Sequence, residues 1–211
     1  MRPYKIIYSK RRTIQISVSN ENEITVRCPL HTSKVRIEQF LYEKQDWIEK
    51  IIRKNVERLQ TVHEVRNFNA VFVDGKQIPL ILGFKNLITP TCIYLKSIKD
   101  IQKQFIKSFS QSFLNEVKYI SENSGLIPYS VKIKNYKAKW GCCDINGNII
   151  FNYKLFMLPL NLREYVIIHE LCHLKHHNHS AAFWRLVEAY LPTYKELRKR
   201  LKDYDFLTKL Y

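Results

Sequence analysis

The pentapeptide His169-Glu170-Leu171-Cys172-His173 constrains this chain more than any other stretch, because it sets two imidazoles and a carboxylate into an otherwise apolar helix. Histidines four positions apart on an α-helix are separated by about 40° around the axis, so both leave from one face, one turn apart. That spacing suits two ligands of one tetrahedral zinc, with Glu170 placed to take a proton from zinc-bound water. Val166, Ile167, Ile168, Leu171, Cys172 and Leu174 make the surrounding run nearly continuous in apolar residues, which predicts burial on most of the helix circumference. Polar groups buried there need partners, and a metal ion supplies one. Cys172 sits about 100° from His173 and so points away from such an ion.

A chance origin for the pattern has to be weighed. The five-residue string would arise by accident in roughly one or two of a hundred chains of this composition. Accident would not also supply a helix start. Asn161 suits an N-cap with Glu164 at the third helical position, and Leu160 and Tyr165 fall at the positions of a hydrophobic staple. His179 follows His173 after five intervening residues and offers a third nitrogen. It adjoins Ser180, a suitable N-cap for a helix opening at Ala181, which would fix its direction. His176 and His177 belong to the cluster Lys175 to His179, where Asn178 suits a left-handed turn ending the helix. Chain order alone leaves either of them open as the third ligand or as a solvated loop residue. Three protein ligands with a fourth position open to water is the catalytic arrangement; a structural site is closed by four.

Composition narrows the setting. The chain has 211 residues, 45% hydrophobic and 26% charged, ordinary for a globular protein with a real core. No apolar run reaches the roughly 18 residues of a membrane span, and Met1 to Lys5 lacks the apolar core of a signal peptide, so a cytoplasmic location without membrane attachment is expected. Cysteines at 28, 92, 142, 143 and 172 make an odd set without a C-x-x-C pair, which argues for reduced thiols. The formal charge of +16 favours an acidic or phosphorylated partner, nucleic acid or nucleotide among them, although the lysines and arginines are dispersed and also serve solubility.

Along the chain, strands are expected over Tyr4 to Tyr8, Thr13 to Val18 and Glu23 to Cys28, with Asn20-Glu21-Asn22 as a turn. One long helix is expected from a Ser33 cap through Ile37, Phe40, Leu41, Trp47, Ile48, Ile51, Ile52, Val56 and Leu59. Short strands follow over Ala70 to Val73, Ile78 to Leu82 and Cys92 to Leu95, with a turn at Asp74-Gly75. A second unit is expected to begin near Ser97, dividing the chain into 1–96 and 97–211. There Ile101, Phe105, Phe109, Phe113, Val117 and Ile120 mark an amphipathic helix that Gly125 ends. Val131 to Ile133 reads as a strand, and Asn146-Gly147 signals a hairpin with a type I′ turn leading into Ile149 to Phe151. Pro192 stops the helix carrying Trp184, and Thr193 with Glu196 opens a last basic helix. The fold class read from this order is α+β.

Lys139-Trp140-Gly141-Cys142-Cys143, Asn152-Tyr153, the histidine helix, His179-Ser180 and Phe183-Trp184 together resemble the YgjP-like metallopeptidase family, which is related to the SprT and WLM groups of the zincins. Arg11 to Ile14, Val26 to Pro29 and the stretch Lys44 to Ile48 resemble its leading β-region, so the likeness spans most of the chain. The resemblance implies a zincin-like catalytic unit behind an N-terminal β-rich region with a long helix. It implies zinc held by His169, His173 and His179, Glu170 as general base, and a peptide or protein substrate. It also implies that Lys139, Trp140 and Gly141 rim the substrate cleft, where Lys139 would stabilise an oxyanion. Trp140-Gly141 packing beneath the helix is the alternative. The family's usual Arg-Trp-Gly-Ser-Cys run appears in this chain as Lys139 to Cys143, with a lysine and a cysteine substituted. Two other functions fit the residues: zinc-dependent hydrolysis of a nucleoside triphosphate, and a nucleic-acid-associated module whose metal only braces the fold.

Overall fold

The computed structural model describes residues 2–19 and 21–210, with the backbone alone for Arg58 and Arg66. Alternating side chains build the first sheet. β1 (Tyr4–Ser9), β2 (Gln15–Val18) and β3 (Ile24–Pro29) are ordered β1-β3-β2, with β1 parallel and β2 antiparallel to β3. Ile24, Val26 and Cys28 of β3 all face the core, as the period of two requires. In the β2–β3 turn Asn22 takes a left-handed φ of 68°, and the buried Asn55 amide donates to Ser19 O and Asn22 Oδ1, both at 2.9 Å. Asn20, assigned to this turn from sequence, lies outside the described residues.

The long helix expected after Ser33 is two helices. Ser33 Oγ accepts from Arg36 N at 3.3 Å to cap α1 (Lys34–Glu43). The chain leaves helical geometry at Lys44, with φ −107° and ψ 11°, before α2 (Gln45–Arg66) resumes. Ile37, Leu41, Ile48 and Ile52 close a small core with β3, whereas Trp47, Val56 and Leu59, also expected on the apolar stripe, are exposed.

The chain divides at His63/Glu64, not at Ser97. The expectation of a boundary at 97 fails because the next strands belong to the larger core. β4 (Ala70–Val73), β5 (Lys76–Leu82), β6 (Leu87–Ile88) and β7 (Ile93–Leu95) form a sheet of order β4-β5-β7-β6. Val71, Leu80, Ile93 and Leu95 are buried in one cluster with Phe105, Phe113 and Val117 of α3 (Ile101–Ser124). The tip of the β4–β5 hairpin is fastened as well. Asp74 N and Gly75 N donate to Phe156 O and Met157 O at 2.9 and 3.1 Å. Gly75 has φ 77°, and a Cβ there would lie 2.6 Å from Pro159 Cγ, so only glycine fits.

α3 ends as its sequence indicates, with Gly125 left-handed at φ 68°. β8 (Ser130–Lys134), β9 (Gly141–Cys143) and β10 (Asn148–Asn152) follow in the order β8-β10-β9, with β9 an antiparallel edge. The hairpin at Gly147 is present, but its turn is not type I′. Gly147 alone has positive φ (79°), and Asp144 O accepts from Gly147 N at 3.1 Å while Asp144 Oδ1 accepts from Asn146 N and Asn148 N. The side-chain bonds of Asp144 favour a type I turn followed by left-handed glycine over a turn needing positive φ at both central residues. A 3-10 segment, Tyr153–Met157, leads into α4 (Leu160–Cys172), which is followed by α5 (Ala181–Tyr190), α6 (Tyr194–Leu201) and α7 (Asp205–Thr208). Among the described residues no helix is long and apolar enough to cross a membrane. The architecture is α+β.

Candidate metal centre

α4 starts and stops differently from its sequence signals. Pro159 occupies the N-cap without a side-chain bond, so Asn161 lies inside the first turn, and Leu160, expected in the staple, is exposed. Proline at this boundary needs no donor, which relieves Asn161 of a capping role. The helix is anchored from the side instead. Arg163 Nη1 bonds Asp74 Oδ1 at 2.6 Å, and its Nε lies 3.0 Å from Glu116 Oε2. Burial raises the Glu116 carboxyl above its ordinary range, more than Arg163 lowers it. At the far end the regular helix stops at Cys172 and tight turns carry the chain through His176, whose amide donates to Cys172 O at 3.1 Å. Asn178 is not left-handed; its Oδ1 accepts from Ser180 N, turning the chain towards α5.

This path brings His169, His173 and His179 together, with one ligand nitrogen of each within 4.8 Å of the others. His169 Nε2 and His179 Nε2 are 3.1 Å apart. Two nitrogens held ~2.0–2.1 Å from one tetrahedral zinc are separated by about 3.3 Å, so the pair already has ligand spacing. His173 Nδ1 bonds His176 O at 2.9 Å, which leaves Nε2 as the free nitrogen. His169 Nδ1 is buried without a hydrogen-bond partner among the described residues, so the ring's polar contact is the one its Nε2 makes with His179. The donor set is all imidazole nitrogen. Burial drives the His169 imidazole down to about 3, helped by His173 and His179, and burial also lowers His173. Neutral rings are what metal ligation requires. The residues present therefore fit zinc.

Aromatic rings fix the three imidazoles. Phe183, fully buried on α5, lies under all of them, with centroid distances of 5.0, 4.5 and 4.9 Å to His169, His173 and His179. His179 is exposed but stacks on Trp184 at 5.5 Å and 21°, and Trp184 stacks on Tyr194 at 5.4 Å. Ser180 Oγ caps α5 by accepting from Phe183 N, so His179 stands at a capped entrance.

Glu170 is 6% exposed, and burial pushes its carboxyl up to about 7, with Lys139 acting in the opposite sense. Its side chain lies flat against Gly141. A Cβ on Gly141 would stand 2.8 Å from Glu170 Cγ and Oε1, which explains glycine in β9 without any demand on backbone conformation. Lys139 and Gly141 rim a cleft of 470 Å³ that holds the three histidines and Glu170. Trp140 combines the two roles open to it from sequence. It borders the cleft, yet is only 9% exposed, and its Nε1 donates to Asp205 Oδ1 at 3.3 Å. The rim is tied down by Asn152, whose Nδ2 donates to Tyr136 O and Lys139 O at 2.8 and 2.9 Å. His177 borders the cleft, and His176 contributes its carbonyl; neither imidazole belongs to the three-histidine cluster. Cys143 also faces the cleft, with its thiol raised by burial to about 11, and so stays protonated. Sequence reasoning missed the C-terminal wall, Arg198 and Lys202, because the ordinary reading of a basic helix is a solvated face.

A family model described as YgjP-like, metallopeptidase domain, matches residues 12–204. No curated protein matches the chain. Among solved structures, the crystal structure of the metallopeptidase zymogen of Pyrococcus abyssi abylysin is similar at 27% identity and a TM-score of 0.39, over 42% of this chain and 90% of that one.

Proposed function

Because the chain belongs to the YgjP-like metallopeptidase family, we propose that it is a zinc-dependent peptidase whose ligands are His169, His173 and His179 and whose general base is Glu170. The observation that carries this reading is the convergence of three imidazoles beside a buried carboxylate in one open cleft. Bound there, zinc supplies Lewis-acid polarisation of a carbonyl and acidifies water.

The protein's own groups account for the rest. Glu170, whose carboxyl burial raises to about 7, can accept a proton during attack and return it to the departing amine. Gly141 leaves the room that keeps this carboxylate in place. Lys139 brings positive charge to the same rim, where it can steady negative charge developing on the carbonyl oxygen. β9 is an edge strand, and its free side offers backbone groups to an extended peptide.

Zinc analysis with peptide profiling tests the proposal. Purified protein should carry one zinc per chain and cleave a mixed peptide panel; chelation should stop cleavage and zinc should restore it. Zinc-loaded protein that leaves every peptide intact while hydrolysing nucleoside triphosphates would replace this reading with a phosphohydrolase.

A further inference from the structure

The cleft carries a second set of groups that the chemistry above does not use. Arg198 of α6 and Lys202, which opens the turn that continues it, stand four residues apart, so they share a face, and both border the cleft that Lys139 also lines. Lys199 and Arg200, from the same basic run, do not line it. The placement is therefore selective.

Among the described residues none of the three cations is in an ion pair. Arg198 lies over the Trp184 ring at 4.5 Å and Lys139 over the Tyr136 ring at 4.5 Å, contacts that hold the stems without neutralising the heads. Of the carboxylates in the cleft, Asp205 accepts from Trp140 Nε1, and Glu170 is packed on Gly141 and feels the charge of Lys139. Like charges four apart on a helix cost a few tenths of a kcal/mol. The cations of the cleft, Lys139, Arg198 and Lys202, outnumber its carboxylates, Glu170 and Asp205, which leaves positive charge for an anion supplied from outside.

We propose that Arg198 and Lys202 form a subsite for a substrate carboxylate, so that this peptidase selects peptides bearing a negative charge near the cleaved bond. The inference rests on the peptidase reading above and names its substrate class. A carboxylate can come from an acidic side chain or from a free C-terminus, and both present the flat pair of oxygens that a guanidinium holds in bidentate fashion.

The test uses calorimetry on the zinc-loaded Glu170→Gln protein, so that affinity is scored whether or not a peptide is cleaved. Peptides are matched in pairs, Glu against Gln at each position around the scissile bond, and a C-terminal acid against its amide. One pair should favour the acid by about tenfold, and the position of that pair identifies the source of the carboxylate. Adding Arg198→Gln and Lys202→Gln should bring the ratio below about twofold while the neutral member binds as before, which also controls for folding. A ratio near one at every position, or one that survives the double substitution, overturns the subsite. So does a nucleoside triphosphate that binds more tightly than any peptide and loses that advantage in the double variant, since the cations would then belong to phosphate. Failure of the parental enzyme to cleave any peptide contradicts the peptidase reading alone, because the binding ratio is measured independently.

Discussion

α3 and α4 lie in the same core but are stabilised in opposite ways. α3 is amphipathic over its whole length. Ile101, Phe105, Phe113 and Val117 are buried on one stripe, and a left-handed Gly125 closes its end. α4 lacks a side-chain N-cap bond as α3 does, but it has little polarity between its faces and a burial pattern that includes Glu170. Its surroundings also contain a lysine, Lys154, that is 1% exposed and has its Nζ on Thr208 O at 2.8 Å. The helix built for packing follows its apolar stripe and its glycine stop. The helix that bears His169, Glu170 and His173 has no such stripe and is held by its neighbours.

The largest expected effect lies on α4. His169→Ala or His173→Ala should weaken zinc binding by about a thousandfold or more, since a ligand is lost from a set of three, whereas His177→Ala should leave stoichiometry at one. Equilibrium dialysis against a zinc indicator checks this. Full retention in either ligand variant would end the separation of roles between the two helices. Next comes α3. Phe113→Ala removes a ring that is 2% exposed and makes edge contacts with Phe151 and Phe156 at 5.2 and 5.4 Å, so unfolding should be easier by about 3–5 kcal/mol. Zinc affinity of the folded fraction should stay within about twofold. A variant that loses zinc without losing stability would break the comparison from the other side.

A smaller effect follows from Gly141→Ala. The added methyl must displace the Glu170 side chain, and a shift of about 1 Å in a catalytic group costs on the order of a hundredfold in rate. Peptide turnover should fall while zinc content is unchanged. The smallest effect concerns Lys154, which burial pushes down to about 8. The unfolded chain holds this proton more tightly, with a pKa of about 10.4, so the lysine costs stability below pH 8. That cost fades as pH rises through the interval between the two values. Lys154→Met should therefore gain thermal stability relative to the parent at pH 7 and lose that advantage by pH 10. An advantage independent of pH would mean that Lys154 is not a charged guest in this core.

How far the sequence could be read follows the same division. The apolar stripe of α3, the stop at Gly125, the Asp74-Gly75 turn and the β9–β10 hairpin were legible because each is decided within a few residues. The grouping of His169, Glu170 and His173 was legible for the same reason, through helix geometry. The rest depends on distant partners. The boundary near Ser97 was misplaced because Val71, Leu80 and Ile93 are apolar whichever core they join, and only the folded chain puts them beside Phe105 and Phe113. The Asn161 cap was not used because Pro159 already sits at the boundary and Arg163 is held by Asp74 and Glu116. The carbonyl of His176 as partner to His173, the fit of Gly141 to Glu170 and the Asn152 clasp on the rim all involve backbone atoms, which side-chain identity does not reveal.

Glu170→Gln tests the central claim most directly. Glutamine keeps the size of the side chain and its place against Gly141 but takes up no proton at neutral pH. One zinc per chain and an unchanged melting profile should accompany a loss of peptide hydrolysis of about 10²–10⁴-fold. A variant that holds zinc and cleaves peptides as fast as its parent would contradict the role of the α4 carboxylate as general base.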